Sequence, residues 1–250
     1  MSAPASAMLS SKTQEHGVPG ALRLGFETCD STRPYTARSI VPNFDPLARL
    51  YRWMELFTFG PWLQRCRCAF LGDLAACRRA AVLGEGDGRF TAQLFRANSR
   101  IEVDAIDASA AMLRSLLRRA GTSANRVHVH CGDARTWQPA NPPYDLVVTH
   151  FFLDCLTGDE VRSLADRLRG ALSPSGLWVV SEFAIPEGTF GQWVAQPVVW
   201  LLYRAFGLLT GLAVRNLPGH AAVLRAAGFT LRKRRSFLHG LLAAELWTAT

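Results

Sequence analysis

The chain has 250 residues, 49% of them apolar, and a formal net charge of +8 at pH 7. That length suits one large α/β domain with appendages, and no uninterrupted apolar run reaches the roughly 18 residues that a membrane-spanning helix needs. The positive charge comes from arginines scattered through the sequence, with lysine only at Lys12 and Lys233, so nucleic acid is not expected as a partner.

Six cysteines (Cys29, Cys66, Cys68, Cys77, Cys131 and Cys155) contain no C-x-x-C pair. They read as free thiols of a cytoplasmic protein. The N-terminus lacks the basic-then-apolar pattern of a secretory signal. Cys66 and Cys68 flank Arg67 with no histidine nearby, a poor chelating arrangement, so no metal is expected.

Residues 1–43 are rich in Ser, Ala, Thr, Gly and Pro and read as a flexible tail. The domain then spans 44–250. Asp45 and Pro46 open a helix carrying Leu47, Leu50, Tyr51, Met54 and Phe57, and a second helix is expected through Leu63, Cys66, Phe70 and Leu74. These helices, 44–78, can roof the end of the first strand, with Tyr51 among the roofing residues. Ala80 to Leu83 is a short buried strand, and a helix follows through Phe90, Leu94 and Phe95. A second strand closes at Asp107. Ser109 caps a helix whose Met112, Leu113, Leu116 and Leu117 mark one face, and Gly121 ends it. Val127 to Cys131 and Asp145 to His150 are the third and fourth strands. Thr157 and Glu160 form a capping box for the next helix. Ser173-Pro174-Ser175-Gly176 turns into a fifth strand, Leu177 to Phe183.

Strict alternation of this kind implies a Rossmann-like, doubly wound, mainly parallel sheet of seven strands. An apolar helical insert at 188–220 interrupts it, readable as a lid, a buried helix or, at lower rank, a membrane-surface contact. A last helix over Ala221 to Gly228 leads into two strands, Phe229 to Phe237 and Leu241 to Thr248. The short connection at His239-Gly240 makes them an antiparallel C-terminal hairpin. The basic run Arg232-Lys233-Arg234-Arg235 reads as solvated charge on an edge strand.

The chemistry is expected where the first strand stops. Gly84, Gly86 and Gly88 stand on alternate positions, and Asp107 lies 19 residues past Gly88. Glycines let a ligand lie against bare backbone, and a carboxylate about 20 residues further on is placed for a ribose hydroxyl pair. G-x-G-x-G is one residue tighter than the dinucleotide fingerprint, and no G-x-x-x-x-G-K-[ST] phosphate loop occurs.

Five stretches in order resemble class I S-adenosylmethionine-dependent methyltransferases, of the small-molecule type seen in ubiquinone and menaquinone biosynthesis. They are Val82 to Gly88, Ala105 to Leu113, Cys131-Gly132-Asp133-Ala134, Tyr144 to Thr149, and Leu172 to Leu177. The resemblance implies S-adenosyl-L-methionine as cofactor. Gly84, Glu85, Gly86 and Gly88 would cradle its methionine part, and Asp107 would accept from the ribose hydroxyls. Ala108, Ser109 and Met112 would lie beside the adenine, Asp133 and Ala134 at its edge, and Thr149, His150 and Phe151 under the sulfonium. One position departs: the family's acid two residues before the first glycine is Val82 here, and Glu85 is the carboxylate that could face the cofactor's ammonium.

The implied activity is methyl transfer to a small aromatic or lipophilic acceptor. His150, Asp154 and Tyr51 are the candidate general bases if that acceptor is a hydroxyl. A non-catalytic nucleoside-binding scaffold is the alternative, supported by Val82. Asn141-Pro142-Pro143-Tyr144 precedes the fourth strand rather than following it, so it is not the element used by amino-methylating DNA enzymes.

Overall fold

The computed structural model describes residues 59–186, 188, 191, 193, 196–197, 199–200 and 219–249. Tyr51, the tail, the helix expected from Asp45 and most of the 188–220 insert lie outside the described residues.

Seven strands form one sheet: β1 (Arg79–Leu83), β2 (Glu102–Asp107), β3 (Val127–Cys131), β4 (Tyr144–His150), β5 (Leu172–Phe183), β6 (Phe229–Phe237) and β7 (Leu242–Ala249). Their order is β3-β2-β1-β4-β5-β7-β6. The first five are parallel, and β7 runs antiparallel between β5 and β6. This is a doubly wound arrangement, with a crossover from the β3 edge back to β4 beside β1. Ligands of open α/β sheets bind outside the strand ends at such a switch point.

The helices fall on two sides. α1 (Trp62–Arg67), α2 (Arg89–Ala97) and α3 (Ala110–Ala120) cover one face, where Leu63, Phe90, Leu94, Leu113 and Leu116 meet Val82, Val148 and Val179. α4 (Gly158–Ala171) and α5 (His220–Ala226) cover the other, where Leu164, Leu168 and Leu224 meet Val147, Val180 and Trp178. Central parallel strands are buried on both faces, and β1 and β4 are buried almost throughout. Ser109 caps α3 by accepting from the Met112 amide, and Thr157 and Glu160 make the reciprocal capping box of α4.

Two elements differ from their sequence reading. The helix expected from Leu63 to Leu74 stops at Arg67, and a separate 3₁₀ turn follows over Leu71–Leu74. Asn98 fastens that turn, donating from Nδ2 to the carbonyls of Leu74 and Cys77. Ser173–Gly176 is not a turn ahead of β5 but an irregularity inside it. Tyr144 pairs with Leu172 and Leu146 with Leu177, so β5 carries three extra residues there.

The basic run does lie exposed on edge strand β6, and parts of it are also tied down. Lys233 pairs with Asp73, Arg234 approaches Glu245, and Arg235 donates to the Ala69 carbonyl. Asn141 and Tyr144 both donate to the buried Asp104 on β2, which gives the Asn-Pro-Pro-Tyr stretch a structural task.

Candidate functional site

Beyond Leu83 the backbone must turn sharply, and Gly84, Gly86 and Gly88 all adopt positive φ (66°, 68° and 82°). Their surroundings differ. A Cβ on Gly84 would come within 2.7 Å of the Phe152 ring, and one on Gly88 within 2.6 Å of the Leu116 backbone. A Cβ on Gly86 would meet nothing within 4 Å. The outer two glycines are therefore needed for packing, while the middle one faces open space.

Asp107 closes the bend. Its carboxylate accepts from the Gly86 amide and from the Ser109 amide, each at 2.8 Å. The Gly84 amide donates to the Ile106 carbonyl at 2.8 Å, and the Gly132 amide to the Asp107 carbonyl at 3.0 Å. The glycine bend, the end of β2 and the end of β3 thus meet around one carboxylate. A carboxylate has about four lone-pair sites, more than the Gly86 and Ser109 amides use.

Glu85 turns inward. Its Oε1 accepts from the Thr91 amide in the first turn of α2, where an anion is favoured by the helix dipole. Its Oε2 is sealed from solvent without a hydrogen-bond partner among the described residues. Burial pushes the Glu85 carboxyl up to about 7, with the Thr91 hydrogen bonds and the nearby Arg67 charge opposing. Asp87 points the other way, to Arg89 and Arg119, and braces the loop against α3.

At the end of β4, strand alternation separates neighbouring residues. Thr149 is fully buried on the α4 side and accepts from the Trp178 indole at 3.0 Å. The pleat turns its side chain to the opposite face of the strand from His150. His150 lies on the α1 side, with Nδ1 2.9 Å from the Ser181 hydroxyl and the Phe90 ring edge-on at 4.5 Å. Its Nε2 is buried and has no partner among the described residues. Burial first, and then the charge of Arg67, hold the imidazole well below its ordinary value, so it is neutral. Phe151 has φ 53°, an uncommon conformation for a residue with a side chain, and its ring lies against Phe183 and under the Arg67 guanidinium.

Other expected residues are placed as follows. Ser109 is buried at the head of α3, while Ala108 and Met112 are part-exposed beside it. Asp133 holds Arg135, which bridges to Glu160 of the α4 capping box, and Ala134 is buried behind it. Asp154 is buried too, accepting from the Cys155 thiol. His128 and His130 do not converge on a metal. His130 approaches Asp104 at 3.7 Å, and among the described residues no cluster of His, Cys, Asp or Glu could hold an ion. The five described cysteines are free, and no described helix is long and apolar enough to cross a membrane.

Four residues near this site were not anticipated. Arg67 and Cys66 come from α1, with Cys66 hydrogen-bonded to Ser181 and its thiol pushed up to about 12 by burial. Ser181 and Glu182 come from the end of β5. Glu182 had a visible signal, a charge inside an apolar strand; Arg67 is one arginine among many.

The comparisons agree with this fold. Residues 81–176 match the family model described as a methyltransferase domain. No curated protein sequence matches the chain. Among solved structures, the mitomycin 7-O-methyltransferase MmcR is 18% identical with a TM-score of 0.64, over 82% of this chain and 58% of that one. An O-methyltransferase family protein from Burkholderia thailandensis is 17% identical with a TM-score of 0.62, over 81% and 59%. NcsB1, an O-methyltransferase of neocarzinostatin biosynthesis in complex with S-adenosylmethionine and 2-hydroxy-5-methyl naphthoic acid, is 15% identical with a TM-score of 0.58, over 82% and 57%. These are likenesses of fold, and the chain spans less than two thirds of each of the three.

Proposed function

We propose that the chain is an S-adenosylmethionine-dependent methyltransferase acting on a small aromatic or lipophilic acceptor. The observation that carries this is the Asp107 carboxylate joined to the amides of Gly86 and Ser109 across the bend between β1 and β2. The residues suit the cofactor. Gly86 offers a glycine surface that a side chain would fill, and Glu85 holds a buried oxygen still lacking a donor. Glu85 would face the ammonium, Asp107 the ribose hydroxyls, and Ala108, Ser109, Met112, Asp133 and Ala134 the adenine. Bound there, S-adenosylmethionine supplies an electrophilic methyl group, which leaves the protein to align the acceptor and exclude water.

The acceptor side is aromatic: Phe90 lies edge-on to His150, and Phe151 and Phe59 lie against Phe183 at the end of β5. In the tautomer whose Nδ1–H donates to Ser181, His150 would hold a lone pair on Nε2 to take a hydroxyl proton. Arg67, lying over Phe151, would favour an acceptor that carries negative charge, and NcsB1 is described with a hydroxynaphthoic acid.

The test is product formation by mass spectrometry with S-adenosylmethionine and a panel of hydroxyarenes and hydroxyarene carboxylates. A methylated product is expected, and His150→Ala should lower kcat by about 10²–10⁴-fold with S-adenosylhomocysteine affinity unchanged within a few-fold. Binding without product across the panel would favour the non-catalytic scaffold, and absence of both would end the reading.

A further inference from the structure

The turn that follows β4 has an unusual anchor. Phe151 to Cys155 leaves the strand through the positive φ of Phe151, and its next two amides, Phe152 and Leu153, point at one side chain. Glu182 Oε1 accepts from both, at 3.1 and 2.8 Å. Glu182 is 1% exposed, and its Oε2 is sealed from solvent with no hydrogen-bond partner among the described residues. The turn it anchors carries the Phe152 ring, which lies where a Cβ of Gly84 would be, 2.7 Å away. Glu182 thus reaches the first glycine of the cradle through one turn and one ring.

The groups around Glu182 settle its charge. Asp154, on the same turn, is itself buried and takes the Cys155 thiol hydrogen bond. Cys155 and Cys66 are both held as neutral thiols by burial. On β7 the residue opposite is Ala243, and Glu245 is already occupied by His220, Arg234 and Trp247. On β4, His150 lies on the other face and is neutral. No cation among these compensates Glu182, while a buried carboxylate lies beside it. An ionised group with one unpartnered oxygen in that position costs far more than a neutral acid does. Burial first, and then the Asp154 charge, push the Glu182 carboxyl well above the ordinary range, with the amides of Leu153, Phe152 and Asp154 opposing.

We propose that Glu182 is a positioning residue that works as a neutral acid, holding the Phe151–Cys155 turn so that Phe152 buttresses the Gly84 bend and the cofactor cradle keeps its shape. The role of the cradle rests on the methyltransferase reading; the brace itself does not. Ionisation of Glu182 at high pH would place two negative charges under one turn and loosen it.

Glutamine reproduces the neutral acid, with one carbonyl to accept both amides, while alanine removes the acceptor. The full chain would be titrated calorimetrically with S-adenosylhomocysteine from pH about 6 to about 9. Glu182→Gln should bind within about twofold of wild type near neutrality and lack the weakening that wild type shows at high pH. Glu182→Ala should bind at least about tenfold more weakly. Equal loss in both variants, or an alkaline profile of Glu182→Gln that overlays wild type, would overturn the proposal. Amide exchange at Phe152 and Leu153 gives a second reading that needs no ligand. It should accelerate in Glu182→Ala and stay slow in Glu182→Gln, and fast exchange in Glu182→Gln would overturn the brace. If wild type fails to bind the nucleoside while the exchange results hold, the methyltransferase reading fails and the brace stands. If Glu182→Ala does not fold, the pH profile and exchange of Glu182→Gln decide alone.

Discussion

Glu85 sits one residue past the start of the glycine bend, with one oxygen on the Thr91 amide and the other sealed. Its carboxyl is raised to about 7, so the folded chain retains a proton that the unfolded chain has released. Stability from this group is complete below the ordinary carboxyl range and declines as pH rises through about 7. Denaturant unfolding of wild type and Glu85→Gln across this window should show the decline in the former and a flatter profile in the latter. Parallel profiles would contradict the assignment. His150 acts in the opposite sense, since its depressed value adds stability that is present above about 6.5 and lost as pH falls. Glu85 and Asp107 could be found in the sequence because each follows a strand end at a fixed distance from glycines. Glu182 and Arg67 act across the sheet, from residues far from the bend, and no spacing marks them.

The three glycines separate two demands on one loop. Gly86→Ala adds a methyl group in open space at φ 68°, a conformational cost of roughly 1–2 kcal/mol. Gly88→Ala adds the same strain and also drives a Cβ into the backbone of α3 at Leu116, 2.6 Å away. Gly86→Ala should therefore fold with a modest fall in Tm while binding S-adenosylhomocysteine poorly; Gly88→Ala should lose distinctly more Tm. Equal melting shifts, or full binding by Gly86→Ala, would contradict this division. At the level of elements, the alternation of strands and helices, the caps at Ser109 and Thr157 and the span of β6 could all be read from local pattern. The bulge at Ser173–Gly176 could not, because Pro and Gly signal a break without saying whether the strand resumes. The 3₁₀ turn that follows α1 is fastened by Asn98, a partner 24 residues beyond Leu74.

For the whole molecule, order β3-β2-β1-β4-β5-β7-β6 brings the ends of β1, β2 and β4 to one edge of the sheet. The proposed cofactor side lies largely on consecutive loops, where spacing can mark candidate residues. The proposed acceptor side would draw Arg67, His150, Phe183 and Ser181 from separate elements, so their proximity emerges only with the fold. Everything proposed about function depends on Asp107 and the glycine bend holding one nucleoside between them. Calorimetric titration of wild type and Asp107→Ala with S-adenosylhomocysteine tests this most directly, with circular dichroism confirming that both are folded. Saturable one-site binding below about 1 mM is expected for wild type, weakened by about 10–100-fold in the variant through loss of charge-assisted hydrogen bonds. A wild-type chain silent at millimolar nucleoside, or a folded Asp107→Ala that binds as tightly as wild type, would contradict it.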